Sequence, residues 1–203
     1  MVKNQLATNK FALQGLSSPG CWAYSDVVVV GARGYKAPGL NDAEAATHFH
    51  MWCITSSPLV LSLDVRNATD MAKAWPVIGN PEAIAVNQAW AGESGAPFAE
   101  SNTTVNVTQW VRRVPAWQHY SKAVGGGKVA VLMVNHGNVT IEHGLRFVDV
   151  PGLRCAGGSG TCAVRDVAAR ADRGSFAGGF NATLAPHGSA FLLVGAPSSG
   201  SSA

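Results

Sequence analysis

The fold class predicted by the sequence is α/β plus all-β: the last two β/α units of a TIM (β/α)8 barrel, followed by a C-terminal antiparallel β-sandwich. Three observations lead there. Up to about residue 95, strand-like apolar runs alternate with helix signals, the signature of a parallel sheet. Beyond Pro97, short strand-like runs are separated by Gly, Asn and Pro turns, the signature of a sandwich. Finally, two β/α units cannot close a barrel, and a two-stranded parallel sheet leaves edges and faces uncovered. The first part therefore reads as the end of a larger barrel, incomplete at residues 1–96, with the sandwich at 97–203.

The elements follow in order. Residues 27–30, four valines bounded by turn residues, read as a buried parallel strand. A Gly- and Pro-containing loop, 31–40, precedes a helix that Asn41 caps, with Glu44 three residues on completing a capping box. Ala45, Phe49, Trp52 and Cys53 recur at helical spacing, and Pro58 forbids the helix to continue. Residues 59–63 read as a second buried strand, and Asn80-Pro81-Glu82 opens a second helix with Pro at its first position. In the sandwich, strands are expected at 105–114, 128–135, 145–150, 162–167 and 189–194, with Gly125, Gly126 and Gly127 as a hairpin turn. The low-complexity tail from Ala196 to Ala203 is expected to be mobile.

Composition narrows the function classes. Apolar residues make up 47% and charged residues 13%, enough apolar content to build a core. The formal charge is +3, and basic residues are scattered apart from Arg112-Arg113, which excludes a nucleic-acid stripe. The apolar run at 27–30 is too short to cross a bilayer, so no membrane partner is expected.

Two features point to the secretory route. Asn-x-Ser/Thr sequons stand at Asn67, Asn102, Asn106, Asn138 and Asn181, where chance would supply about one or two. Cys155 and Cys162 flank a Gly-rich hexapeptide, a spacing suited to a short stapled hairpin in an oxidising compartment. Cys21 and Cys53 sit in apolar contexts and read as buried thiols. The first residues have no apolar signal region, so the protein is either cytosolic, with idle sequons, or has an N-terminal part upstream of Met1.

One stretch carries the chemistry. Pro19-Gly-Cys-Trp-Ala-Tyr-Ser-Asp-Val-Val-Val-Val-Gly31 resembles the Pro-Gly-x-Trp-x-x-x-Asp-Met-Leu-x-x-Gly segment of α-galactosidases (melibiases, glycoside hydrolase family 27). The resemblance continues, in order, through His48-Phe-x-x-Trp52, Ser57-Pro-Leu59, Asp64-Val-Arg66, Glu82-Ala-Ile-Ala-Val-Asn-Gln88, Val164-Arg-Asp-Val167 and Ala185-Pro-His-Gly-Ser189. It implies a β/α barrel with a sandwich behind it, and retaining hydrolysis of terminal α-linked galactose, or of N-acetylgalactosamine, by two carboxylates about 5–5.5 Å apart. The resemblance puts both catalytic Asp upstream of residue 1, so no catalytic residue is expected here. Asp26 matches an active-site Asp at a strand's C-terminal end, Val27 an apolar pocket position that is usually Met, and Trp22 a candidate platform for a sugar ring. Tyr24 and Ser25 depart from the commoner Asp and Pro; loss of that Pro is expected to loosen the turn. Also implied are α-galactoside sugars as partners, no cofactor, and a secreted or lysosomal/vacuolar location for the full-length protein, with a homodimer left open.

Other constellations are weaker. Asp64 and Arg66 are expected to form a loop-shaping ion pair, and the six histidines lack zinc spacing. A rival reading is a non-catalytic carbohydrate-binding module in which Trp110, Trp117 and Tyr120 form an aromatic platform.

Overall fold

The computed structural model describes residues 2–32, 39–108, 112–155 and 160–197. Four helices come first: α1 (Val2–Leu13), α2 (Asp42–Ile54), α3 (Ala68–Ile78) and α4 (Pro81–Gln88). Three of them begin on asparagines whose side chains accept otherwise unpaired N–H groups of the first turn. Asn41 accepts from the Glu44 amide while Glu44 accepts from the Asn41 amide, the expected capping box. Asn67 accepts from the Thr69 and Asp70 amides, and Asn80 from those of Glu82 and Ala83, with Pro81 at the start of the helix.

The two expected strands of the helical part are reduced to one parallel bridge between Val28 and Leu61. The Val28 amide donates to the Val60 carbonyl at 2.7 Å, and the Ser62 amide to the Val28 carbonyl at 3.1 Å. Val28 and Val30 are buried, as expected, but Val60 and Leu61 are exposed. A parallel strand is buried on both faces only when neighbours and helices cover it, and here residues 59–61 have such cover on one side alone.

The remainder is β-structure. A six-stranded antiparallel sheet has the order β1 (Ala96–Glu100), β4 (Trp117–Gly125), β5 (Lys128–Asn135), β10 (Ser189–Gly195), β7 (Thr161–Asp166), β8 (Ala171–Ala177). Over it lies the pair β6 (Ile141–Arg146) and β9 (Gly179–Leu184), while β2 (Thr104–Val105) pairs with β3 (Val114–Pro115). Of the strand expected at 105–114, Val105 and Val114 pair with each other in β2 and β3, Arg113 takes φ 55°, and residues 109–111 lie outside the described residues. The one expected at 145–150 ends at Arg146 and turns into a 3-10 helix at Phe147–Asp149. Gly125, Gly126 and Gly127 all have positive φ and form the β4–β5 turn, as expected. Of the tail expected to be mobile, residues 198–203 lie outside the described residues.

The sheet has a core on each face. Ala130, Leu132 and Val134 of β5 pack with Tyr120, Phe191 and the α2 residues Phe49 and Trp52. The alternate residues Val129, Val131 and Met133 pack with Leu145, Phe147 and Leu184 beneath β6 and β9. Cys162 is buried in this second core and bonded to Cys155, while Cys53 is a buried free thiol. Cys21, by contrast, is exposed, because its short bridge with Ser18 forms a surface turn.

Lys122 of β4 is fully buried on the helix side, where its Nζ donates to Ser56 Oγ and to the Val86 and Asn87 carbonyls at the end of α4. Burial pushes its pKa down to about 8. Lys122→Met keeps the stem but strands three acceptors, so the urea midpoint should fall by an amount equivalent to about 2–4 kcal/mol with an unchanged m-value. A midpoint within error of the parent would show that the clamp contributes nothing.

Four histidines are buried and held neutral, because burial pushes His48 to about 3 and His50, His119 and His136 to about 4. Since these folded-state values lie below the ordinary 6.5, the unfolded chain binds more protons between about pH 4 and 6.5. Stability is full above that window and falls as the pH drops through it. At about 1.4 kcal/mol per group per pH unit, four groups lose on the order of 5 kcal/mol per unit. Thermal melts should therefore show a steep drop in Tm between pH 6.5 and 5; a flat Tm down to pH 4.5 would contradict the neutral-imidazole core.

Candidate functional site

The site is built outward from α2. His48 and Trp52, four residues apart on one helix face, pack with their rings tilted by 51° and centroids 4.0 Å apart. Trp52 Nε1 donates to the Asp26 carbonyl at 2.8 Å, and His48 Nε2 accepts from the Val29 amide at 3.0 Å. Accepting that bond requires His48 to be neutral, in agreement with its lowered pKa. Two ring side chains thus hold the backbone on either side of Val27 and Val28, just beyond Asp26.

The other flank is held by hydroxyls. Ser25 is buried; its amide donates to Ser57 Oγ at 3.0 Å, and its own hydroxyl donates to Thr8 Oγ1 at 2.7 Å. Proline could make neither bond, so Ser25 stiffens the turn through polar contacts, contrary to the loosening expected from the sequence. Between these anchors Asp26 takes φ 80°, a left-handed conformation uncommon for a non-glycine residue. Its Oδ1 accepts from the Val27 amide at 2.8 Å and its Oδ2 from Asn4 Nδ2 at 3.3 Å.

The Asp26 carboxylate is exposed. A carboxylate offers about four acceptor positions, and two are used here. The remainder face solvent on a backbone that cannot easily shift. Such a group can accept hydrogen bonds from hydroxyls of a neutral polyol, and its fixed position makes the recognition directional.

The structure treats the other sequence-selected residues differently. Val27 is half-buried beside Asp26, and Trp22, also half-buried, meets Trp90 edge to face at 5.4 Å. Asp64 and Arg66 form the expected ion pair through two side-chain bonds of 3.0 and 3.1 Å, and the guanidinium holds the carboxyl below its usual range. The aromatic platform does not form. Tyr120 is fully buried, bonded to Asn9 and Gln118, and Trp117 packs in a tilted arrangement against His119 and His143; Trp110 lies outside the described residues. Among the described residues no cluster suited to a metal ion occurs, and no helix is long and apolar enough to cross a membrane.

Sequence reasoning missed Asn4, Thr8 and Trp90, and gave His48, Trp52 and Ser57 no role in holding Asp26. The spacing of His48 and Trp52 was the available signal, since an i, i+4 pair on one helix face points at one neighbour. Trp52→Phe should remove the donor to the Asp26 carbonyl and cost about 1–3 kcal/mol. Chemical denaturation measures it, and no loss of stability would sink the anchoring role.

Family models match both parts of the chain. The model described as alpha galactosidase A matches residues 1–89, and that of the alpha galactosidase C-terminal beta sandwich domain matches residues 115–194. An alpha-galactosidase of Oryza sativa subsp. japonica is 33% identical over 86 residues, which are 42% of this chain and 19% of the relative. An alpha-N-acetylgalactosaminidase of Gallus gallus is 27% identical over 100 residues, 49% of this chain and 23% of the relative. The crystal structure of alpha-galactosidase I from Mortierella vinacea superposes with a TM-score of 0.73 at 22% identity, covering 94% of this chain and 42% of that one. The chain thus spans about a fifth of the length of these curated relatives and less than half of the solved chain.

Proposed function

Because the chain belongs to the α-galactosidase family, we propose that it is the C-terminal part of a retaining glycoside hydrolase that removes terminal α-linked galactose from oligosaccharides or glycoconjugates. The observation that carries the reading is Asp26: an exposed carboxylate, fixed in a left-handed backbone by α1, α2 and Ser57, within the segment that carries the family motif. On this reading residues 1–96 are the end of the barrel and residues 97–203 the sandwich. Support for further β/α units comes from the exposed apolar side chains of Phe11, Leu13, Leu16, Val60 and Leu61, which additional units of a barrel would cover.

Double displacement needs a nucleophilic carboxylate and an acid/base carboxylate on either side of the glycosidic bond. Five of the acidic residues are engaged otherwise. Glu44 caps α2, Asp64 pairs with Arg66, Glu82 and Asp172 pair with Arg165, and Asp166 pairs with Arg173. Asp26 is assigned the binding of sugar hydroxyls, with Val27 and Trp22 as further substrate-binding residues, and the catalytic pair belongs to the upstream part of the protein. The Cys155–Cys162 bond supports passage through an oxidising compartment. A secreted or lysosomal/vacuolar location of the full-length protein goes with this reading.

A second reading, α-N-acetylgalactosaminidase, rests on the Gallus gallus relative. Both are tested by placing residues 1–203 in the rice relative instead of its corresponding segment and assaying the nitrophenyl α-galactoside and α-N-acetylgalactosaminide. Asp26→Ala should lower kcat/KM for the preferred sugar by about 10- to 100-fold, the worth of a hydrogen bond to a charged group. Unchanged kcat/KM would remove Asp26 from the site. Hydrolysis by residues 1–203 alone, abolished by Asp26→Ala, would make Asp26 catalytic and overturn the division of roles.

A further inference from the structure

Helix α1 is docked by polar side chains. Among its described residues the buried ones are Gln5, Thr8 and Asn9, whereas Phe11 and Leu13 are exposed. Apolar contact is non-directional, so a helix held by hydrogen bonds is placed more narrowly than one held by an apolar stripe. Two i, i+4 pairs on neighbouring faces of α1 make these bonds. Gln5 Nε2 donates to Asn9 Oδ1 at 3.2 Å, and Asn9 Nδ2 donates to the Tyr120 hydroxyl of the sandwich at 2.9 Å. On the other face Thr8 Oγ1 accepts from Ser25 Oγ at 2.7 Å, and Asn4 Nδ2 donates to Asp26 Oδ2 at 3.3 Å.

The bonds on the sandwich side run in one direction. The Glu100 carboxylate, at the end of β1, accepts from Gln118 Nε2 at 2.9 Å, which leaves Gln118 Oε1 as an acceptor. Tyr120 therefore donates to Gln118 Oε1 at 3.1 Å and presents a lone pair of its hydroxyl to Asn9. Gln118, Tyr120 and Asn9 are all buried, so any other arrangement strands a donor or an acceptor away from water. Around Asp26 the work is divided. The Asp26 carbonyl and the Ser25 amide are held by Trp52 of α2 and by Ser57 just after it, whereas Asp26 Oδ2 and the Ser25 hydroxyl are held by α1.

We infer that Tyr120 and Asn9 are positioning residues for the Asp26 carboxylate: by seating α1, the sandwich sets where that carboxylate meets a sugar hydroxyl. The inference rests on the proposed role of Asp26 in sugar binding. The link is short and stiff. Asn4 and Asn9 lie about 7.5 Å apart along the helix axis, at 1.5 Å per residue, and α1 is continuous between them. A displacement of α1 that lengthens the Asn9–Tyr120 bond therefore carries Asn4 and Thr8 with it. The Asn4–Asp26 bond, already long at 3.3 Å, is the contact that such a displacement breaks first.

Nuclear magnetic resonance of isotope-labelled residues 1–203 reads the link directly. Tyr120→Phe removes the hydroxyl, and Asn9→Leu removes the donor from the other side. Either should shift the signals of the Asp26 carboxyl carbon and the Asn4 side-chain amide, and should speed hydrogen exchange of the Ser25 amide about tenfold. Asn80→Ala uncaps α4 and breaks its bond to the Val167 carbonyl without touching α1. It should leave all three observables in place. In the chimera with the rice relative, Tyr120→Phe should lower kcat/KM about 3- to 10-fold, and no further once Asp26→Ala is present, because a residue that acts through Asp26 has no effect without it. Asp26 and Asn4 signals that both variants leave unmoved, or that Asn80→Ala moves equally, would overturn the positioning role, as would losses that multiply in the double variant. Moved signals beside an Asp26→Ala enzyme of full kcat/KM would instead remove sugar binding by Asp26 and leave the α1 link standing.

Discussion

Burial of β5 on both faces is the constraint from which the rest of the structure follows. Seven consecutive residues, Val129 to Asn135, are buried, and successive side chains enter different cores. Because the side-chain period of a strand is two, one face must be covered by α2 and α4 and the other by the β6–β9 pair. A slip of one residue would exchange the two sets, and each core would receive side chains of the wrong size. The antiparallel pairing with β4 and β10 therefore fixes where the helices sit, and through α2 it fixes the segment around Asp26.

Polar contacts then set the orientation of helices on sheet. Lys122 reaches from β4 to the end of α4, Asn80 Nδ2 donates to the Val167 carbonyl, Arg165 on β7 pairs with Glu82, and Asn9 of α1 donates to Tyr120. Hydrophobic contact alone is non-directional. Each of these bonds has one satisfactory geometry, and breaking it leaves a buried or half-buried group without its partner. The helical part is consequently locked to the sheet by its own capping residues: Asn80 and Glu82 serve the first turn of α4 and the interface at once.

The same economy shapes the candidate site. His48 and Trp52 belong to the core by burial and to the site by their ring nitrogens, so the packing that stabilises α2 also holds Asp26 in its left-handed conformation. Strain of this kind persists only where surrounding contacts determine it. It leaves an exposed carboxylate on a backbone held from both sides.

By itself the sequence determined the family, the C-terminal β-sandwich, the caps of α2 and α4, the Gly turn before β5 and the Cys155–Cys162 pairing. These signals are local or follow the chain in order. Helices α1 and α3 were illegible: the apolar positions of α1 are scattered, and α3 contains Pro76. Strand β4 was hidden because its buried face carries Gln118, Tyr120 and Lys122, polar groups that only the opposing helices and neighbouring side chains satisfy. Strand β8 is almost wholly exposed and has no apolar alternation to read. Tertiary structure alone decided that Tyr120 is a core residue, that residues 59–61 are only half covered, and that Asn4, Thr8, Trp52 and Ser57 converge around Asp26. The physical reason is common to all of these. Burial and hydrogen-bond partners across the fold belong to pairs of residues distant in sequence, and no local pattern specifies them.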